Sequence, residues 1–279
     1  MRSSSDTVET RTALVVGASG IAGSALVDRL ADTGWDVVAL SRSPIRRSDI
    51  RHVSADLNSV EGLREALAGE RASHVFYTAW SRMNTEQENI ETNAAMLRNL
   101  LASLSGHPVQ HVALMTGLKH YLGPFEAYAA GEMPDTPFRE SEPRLPTPNF
   151  YYAQEDELGA AAGNQGFGWS VHRAHTVIGH AVGNAMNMGF TLAVQASICR
   201  ELGQPFIFPG SETQWNSLTD MTDSGLLAEH MIWAATADGV GDEAYNIVNG
   251  DTFRWRRMWP ALAAYFGVEP VGYAGQPRP

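Results

Sequence analysis

Cysteine and lysine are the scarcest residues of this chain of 279: one of each, Cys199 and Lys119. A lone cysteine excludes an intrachain disulfide and any zinc site built on several thiolates, which suits a reducing compartment. Charge is sparse as well, at 18%, and it leans acidic, 20 basic against 31 acidic residues giving a net charge of −11. Such a surface repels phosphate backbones and anionic membranes, so neither nucleic acid nor membrane is an expected partner. No stretch approaches the roughly 18 apolar residues of a membrane span. Residues 1–11 are polar with no apolar signal segment, so they read as a disordered tail and the protein as cytoplasmic. No GxSxG turn is present, which leaves a serine hydrolase without support. His172 and His175 flank Arg173, but no acids or cysteines complete a ligand set, so no metal is expected.

What is there is an apolar fraction of 44% with 7 Trp, 10 Phe and 8 Tyr, ample for a buried core. From Thr12 onward, short apolar runs alternate with longer stretches of helical period. That alternation predicts an α/β fold, a Rossmann-type doubly wound parallel sheet. Strands are expected at 12–17, 35–40, 51–55, 74–78, 111–115, 169–173 and 244–248, and a shorter apolar piece at 206–208. Helices are expected at 21–32, 59–68, 84–104, 149–164, 184–202, 223–235 and 253–266. Residues 12–180 then form mainly a nucleotide-binding Rossmann domain, and 181–279 mainly a smaller C-terminal substrate-covering lobe, interleaved with it. Between Gly117 and Pro148 lie five prolines and no sustained period, the mark of a functional loop.

The first strand runs into Gly17-Ala18-Ser19-Gly20-Ile21-Ala22-Gly23. Glycines between a strand and a helix let the backbone turn tightly and approach a pyrophosphate, whose charge rests on the helix N-terminus. The second strand ends in Arg42 and Ser43, where an acidic residue would favour NAD. An arginine pairs instead with a 2′-phosphate, which predicts NADP. Asp56 and Leu57 follow the third strand, Ala79 and Trp80 the fourth, and the fifth ends Met115-Thr116-Gly117. All fall on the carboxyl edge of the sheet, where ligands bind in such folds.

None of the eight tyrosines has lysine four residues later, so the tyrosine–lysine pair of ordinary short-chain dehydrogenases is absent. In a chain that uses arginine at every other basic position, Lys119 at a strand end points to a demand that guanidinium cannot meet. Its expected partner is one tyrosine of Asn149-Phe150-Tyr151-Tyr152, the other packing in the core.

The run Thr116-Gly117-Leu118-Lys119-His120-Tyr121-Leu122-Gly123-Pro124-Phe125-Glu126 is joined by Pro143-Arg144-Leu145, Asn149-Phe150-Tyr151-Tyr152 with Glu155-Asp156, Trp169-Ser170-Val171-His172-Arg173, and Asn246-Ile247-Val248-Asn249-Gly250-Asp251. Together they resemble the progesterone 5β-reductase/iridoid synthase-like (PRISE) group of atypical short-chain dehydrogenases, from about Leu14 to Val268. The resemblance implies an NADPH-dependent reductase of activated carbon–carbon double bonds in small enones and enals. It implies Lys119 and Tyr151 as catalytic residues. Cofactor contacts are implied at Ser19, Gly20, Ile21, Arg42, Ser43, Asp56, Leu57, Ala79, Trp80, Met115 and its neighbour Thr116, Val177, Asn184, Ala185 and Met186. Ala174 stands where the group usually has proline, and Ser43 where plant members often have a second arginine. Carbonyl 1,2-reduction, and a non-catalytic NADP-binding sensor or scaffold, are the alternatives. A homodimer is compatible with the sequence.

Overall fold

The computed structural model describes residues 11–123, 134–181, 184 and 186–275. Seven parallel strands form the main sheet: β1 (Thr12–Val16), β2 (Asp36–Leu40), β3 (Arg51–Val53), β4 (His74–Tyr77), β5 (His111–Gly117), β6 (Gly168–Ala174) and β10 (Glu243–Ile247), in the order β10-β6-β5-β4-β1-β2-β3. Strands β1, β2, β4 and β5 read as continuous apolar runs because helices cover both faces of the sheet. Along β1, Leu14 and Val16 point to one core, while Ala13 and Val15 point to the other.

On the Leu14 face lie α2 (Val60–Leu67), α3 (Glu86–Ser103) and α5 (Phe150–Gln165), contributing Leu63, Leu97, Leu100 and Leu158. On the opposite face lie α1 (Ile21–Asp32) and α8 (Ser224–Thr236), contributing Leu26, Leu30, Leu227 and Met231. Helix starts follow their caps. Ser59 accepts from the Gly62 N–H, Thr85 and Glu88 form a reciprocal capping box, and Asp223 accepts from the Gly225 and Leu226 N–H groups.

A second, smaller core gathers Ala196 of α6 (Met188–Leu202), Phe206 of β8 (Phe206–Ile207), Phe208, and Trp259 and Ala263 of α9 (Trp255–Phe266). Phe206 stacks on Trp259 at 3.9 Å, and β8 pairs with β11 (Pro270–Val271). The chain does not stay in this smaller part: between its pieces, α8 and β10 return to the main sheet, β10 lying beside β6. Strand β7 (Val177–Ile178) pairs with β9 (Thr222–Asp223) at the crossing.

The structure departs from the sequence reading where pieces are short. Helices α4 (Lys119–Leu122) and α7 (Glu212–Asn216), and strands β7, β9 and β11, span two to five residues, too few to display a period. Helix α6 begins at Met188 rather than 184, because the Asn187 side chain accepts from the Phe190 N–H and ends the preceding loop. The expected tail lies outside the described residues but for Arg11, as does part of the long loop after Gly123.

His172 and His175 take different partners. His172 is fully buried, its Nε2 lying 2.9 Å from Ser170 Oγ and its Nδ1 3.0 Å from His230 Nδ1. Ser170 Oγ also meets His111 Nε2 at 2.9 Å, so the four polar groups form one chain through the sheet. Burial holds His172 well below its ordinary pKa and pushes His74 and His111 down to about 4. His175 meets Asp220 at 2.5 Å instead. Among the described residues no helix is long and apolar enough to cross a membrane, and no cluster of three His, Cys, Asp or Glu side chains is arranged to hold a metal ion.

Candidate active site

The strand order reverses between β1 and β4, and a groove of about 390 Å³ opens there at the carboxyl ends of the strands. Its floor begins with the glycine turn. Gly17 has a φ of +83°, and a Cβ there would lie 2.9 Å from the Ala79 nitrogen. At Gly23 a Cβ would stand 2.1 Å from the Gly17 carbonyl oxygen, so only glycine lets α1 pack under the turn. No side chain caps α1, whose N-cap is Gly20, and no acid stands in its first turn. A helix start without a side-chain cap is the kind of end that suits an anion.

Further along, the groove is lined by Arg42 and Ser43 after β2, and by Asp56 and Leu57 after β3. Hydrogen bonds from the Asn58 N–H and amide hold the Asp56 carboxyl below its usual range, and the Arg42 charge adds to this. Arg46 is paired with Asp28 at 2.7 Å, and Arg47 with Asp32 and Asp49 at 2.7 Å. Arg42, Arg46 and Arg47 also line an adjoining cavity of about 540 Å³ with Ser19, Ser24, His180 and Asn184. A glycine cradle and a bare helix N-terminus fit a dinucleotide.

Gly17, Ser19, Gly20, Ile21, Ala79, Trp80, Met115, Val177, Asn184 and Met186 all line the main groove. Gly23 supports it from beneath. Thr116 is buried in the sheet with its hydroxyl unpaired. Ala185 lies outside the described residues.

Beyond Met115 the strand ends at Gly117, and Lys119 opens α4 two residues on. The lysine is no surface residue: its side chain is 3% exposed, its Nζ lies 2.6 Å from Glu86 Oε2, and it sits 4.5 Å from the centroid of the Phe150 ring. Trp80 stacks on the same ring at 6.0 Å. Tyr151 approaches the other side of the strand end, its hydroxyl 3.2 Å from where a Gly117 Cβ would be. Asn149 ties the two segments together, since its side chain donates to the Lys119 carbonyl at 2.7 Å and accepts from the Tyr151 N–H at 3.0 Å. Tyr152 is the packing member of the pair, donating to the His120 carbonyl at 2.5 Å and accepting from the Leu145 N–H.

Much of the long motif has structural work. The Tyr121 hydroxyl donates to Asn246 Oδ1 at 2.8 Å and accepts from Arg173 at 3.1 Å, and its ring stacks on Phe138 at 4.8 Å. His120 is buried, and burial with the Arg173 charge beside it lowers its pKa to about 4. The residue that sequence reasoning missed is Glu86. It is a glutamate among many at a helix start, and nothing local in the sequence ties it to Lys119, 33 residues on.

Residues 13–279 match a family described as the PRISE-like Rossmann-fold domain. The 3-oxo-Delta(4,5)-steroid 5-beta-reductase of Arabidopsis thaliana is 38% identical over 274 residues, covering 94% of this chain and 70% of that protein. The (S)-8-oxocitronellyl enol synthase of Catharanthus roseus is 38% identical over 273 residues, 94% of this chain and 69% of that protein. Among solved structures, the UDP-glucose 4-epimerase of Thermus thermophilus in complex with NAD superposes with a TM-score of 0.74 at 22% identity, covering 96% of this chain and 87% of that one. Its Thermotoga maritima counterpart with UDP-glucose gives 0.75 at 18% identity, covering 96% and 86%. At these identities the solved structures speak for the fold alone.

Proposed function

Since the chain belongs to the PRISE-like Rossmann-fold family, we propose that it is an NADPH-dependent reductase of small enones and enals, acting by 1,4-reduction. The observation that carries this reading is the burial of the only lysine at the carboxyl end of β5, with the Tyr151 phenol against the same strand end. An ammonium and a phenol, delivered by separate segments to the carboxyl edge of the sheet, suit a reaction that builds negative charge on one oxygen.

Bound NADPH supplies the hydride, which the β-carbon of the enone accepts. The glycine turn and the N–H groups of α1 would hold its pyrophosphate, and Arg42 with Ser43 would engage its 2′-phosphate. Tyr151 donates a hydrogen bond to the substrate carbonyl, whose oxygen becomes an enolate as the double bond shifts. Lys119 stabilises that charge from beside the phenol. Fixed donors aimed at a developing oxyanion need no reorganisation during the reaction. The enolate then takes its α-proton from water or from the phenol. Trp80 and Met186 cover an apolar substrate at the mouth.

Product identification tests the reading. Incubated with NADPH and cyclohex-2-enone, the protein is expected to form cyclohexanone. Formation of the allylic alcohol would instead assign 1,2-reduction, and cofactor binding with no NADPH consumption across a panel of enones and carbonyls would assign a sensor.

A further inference from the structure

One carboxylate joins the starts of α3, α4 and α5. Glu86 stands in the first turn of α3, where the helix dipole favours a negative charge, and its side chain is only 12% exposed. Its Oε2 accepts from Lys119 Nζ at 2.6 Å and lies 3.4 Å from the Asn89 amide nitrogen. Its Oε1 accepts from the Phe150 N–H at 2.9 Å. That N–H is one of the orphan donors at the start of α5, the helix that carries Tyr151 at its next position.

Lys119 is thereby held at both ends. Glu86 takes the ammonium, Asn149 takes the carbonyl, and both of these partners also satisfy N–H groups of the first turn of α5. A lysine side chain has four freely turning bonds, and a flexible ammonium stabilises a transition state poorly unless something fixes it. The short, mostly buried contact to Glu86 does so, against the flat face of Phe150 on the other side.

We propose that Glu86 is a positioning residue for the reduction: it acts through Lys119, holding the ammonium in register with the Tyr151 phenol. The proposal rests on the reading of Lys119 and Tyr151 given above. A glutamine fills the same volume, but its single carbonyl oxygen serves either Lys119 or the Phe150 N–H.

The test compares Glu86→Gln, Lys119→Met and the double variant, each first checked for folding by thermal unfolding and for NADPH binding. Glu86→Gln is expected to lower kcat by about 10–100-fold, the effect of losing a hydrogen bond to a charged group, with KM for NADPH and for cyclohex-2-enone within about twofold of wild type. The double variant is expected to be no slower than Lys119→Met alone, because the ammonium that Glu86 positions is gone. A purely structural role predicts the reverse, a further loss in the double variant, and that result overturns the proposal; so does wild-type kcat in Glu86→Gln. Should Glu86→Gln fail to fold, Glu86→Asp keeps the charge but is one methylene too short to reach both partners, and full turnover in that variant is equally contradictory. If Lys119→Met keeps full turnover, the proposed function is at fault; if it loses turnover and Glu86→Gln does not, only the role of Glu86 falls.

Discussion

The two parts of the proposed site are built in different ways. The phosphate end is made of backbone: one seven-residue run, Gly17 to Gly23, turns on a positive φ and presents N–H groups from a helix with no side-chain cap. The proposed reaction end is made of side chains, Glu86, Lys119 and Tyr151, brought by α3, α4 and α5 and tied by Asn149 beside the carboxyl end of β5. A backbone site fails sterically, when a side chain is added, and its failure is one of binding. A site of converging side chains fails by displacement, and its failure is one of turnover.

The sharpest way to break this contrast is at Gly117, which belongs to the reaction end although it is a glycine. A Cβ there would stand 3.1 Å from the Ala174 carbonyl and 3.2 Å from the Tyr151 hydroxyl, so the phenol must yield by a few tenths of an ångström. Gly117→Ala is expected to lower kcat by about 10–100-fold, since small misplacements of a catalytic group are that costly, with NADPH affinity unchanged in titration. Weakened NADPH binding with normal kcat would erase the distinction between the ends.

Gly23→Ala should show the opposite pattern. The added methyl meets the Gly17 carbonyl at 2.1 Å, which forces α1 away from the turn. Overpacking of this kind costs about 1–3 kcal/mol, and the expected result is a lower Tm together with cofactor binding weakened by about tenfold or more, measured by calorimetry. Arg42→Ala refines the phosphate end. Losing a charge-assisted bond to a 2′-phosphate, worth about 1.5–3 kcal/mol, should raise KM for NADPH by about tenfold and leave KM for NADH where it was. An equal change for both cofactors would place the 2′-phosphate elsewhere.

The smallest effect concerns the frame that both ends share. His74, His111 and His120 are held neutral, with pKa values of about 4 against an ordinary 6.5. Their contribution is complete above pH 6.5 and is lost progressively as pH falls from 6.5 towards 4, because the unfolded chain takes up protons that the folded one refuses. The Tm measured by calorimetry is therefore expected to fall by several degrees between pH 7 and pH 5. A Tm that is flat over this range would contradict the burial of these rings.

The same contrast explains what was legible in the residues alone. The Rossmann sheet could be read because β1, β2, β4 and β5 are continuous apolar runs with helical stretches between them, and helix 21–32 matches its bounds to the residue. The glycine turn, Arg42 and the lining after each strand are local signals, each carried by a few consecutive positions. Lys119 stands out through the scarcity of lysine, its place at a strand end and the motif around it, while the assignment of Tyr151 over Tyr152 comes from family resemblance. In the structure Tyr152 bonds the His120 carbonyl and the Leu145 N–H, and the Tyr151 hydroxyl lies by Gly117. Glu86 had no signal at all, because its meaning lies in a contact across 33 positions. The elements missed, such as β7 and α4, are shorter than any period they might show.

The most direct measurement is single-turnover reduction of an enone by Tyr151→Phe and Lys119→Met, with NADPH affinity determined on the same preparations. Each variant is predicted to lose about 100–1,000-fold in the rate of the chemical step, as expected when one donor to an oxyanion is removed, while binding NADPH as the wild-type protein does. Undiminished rates in both variants would contradict the account at its root.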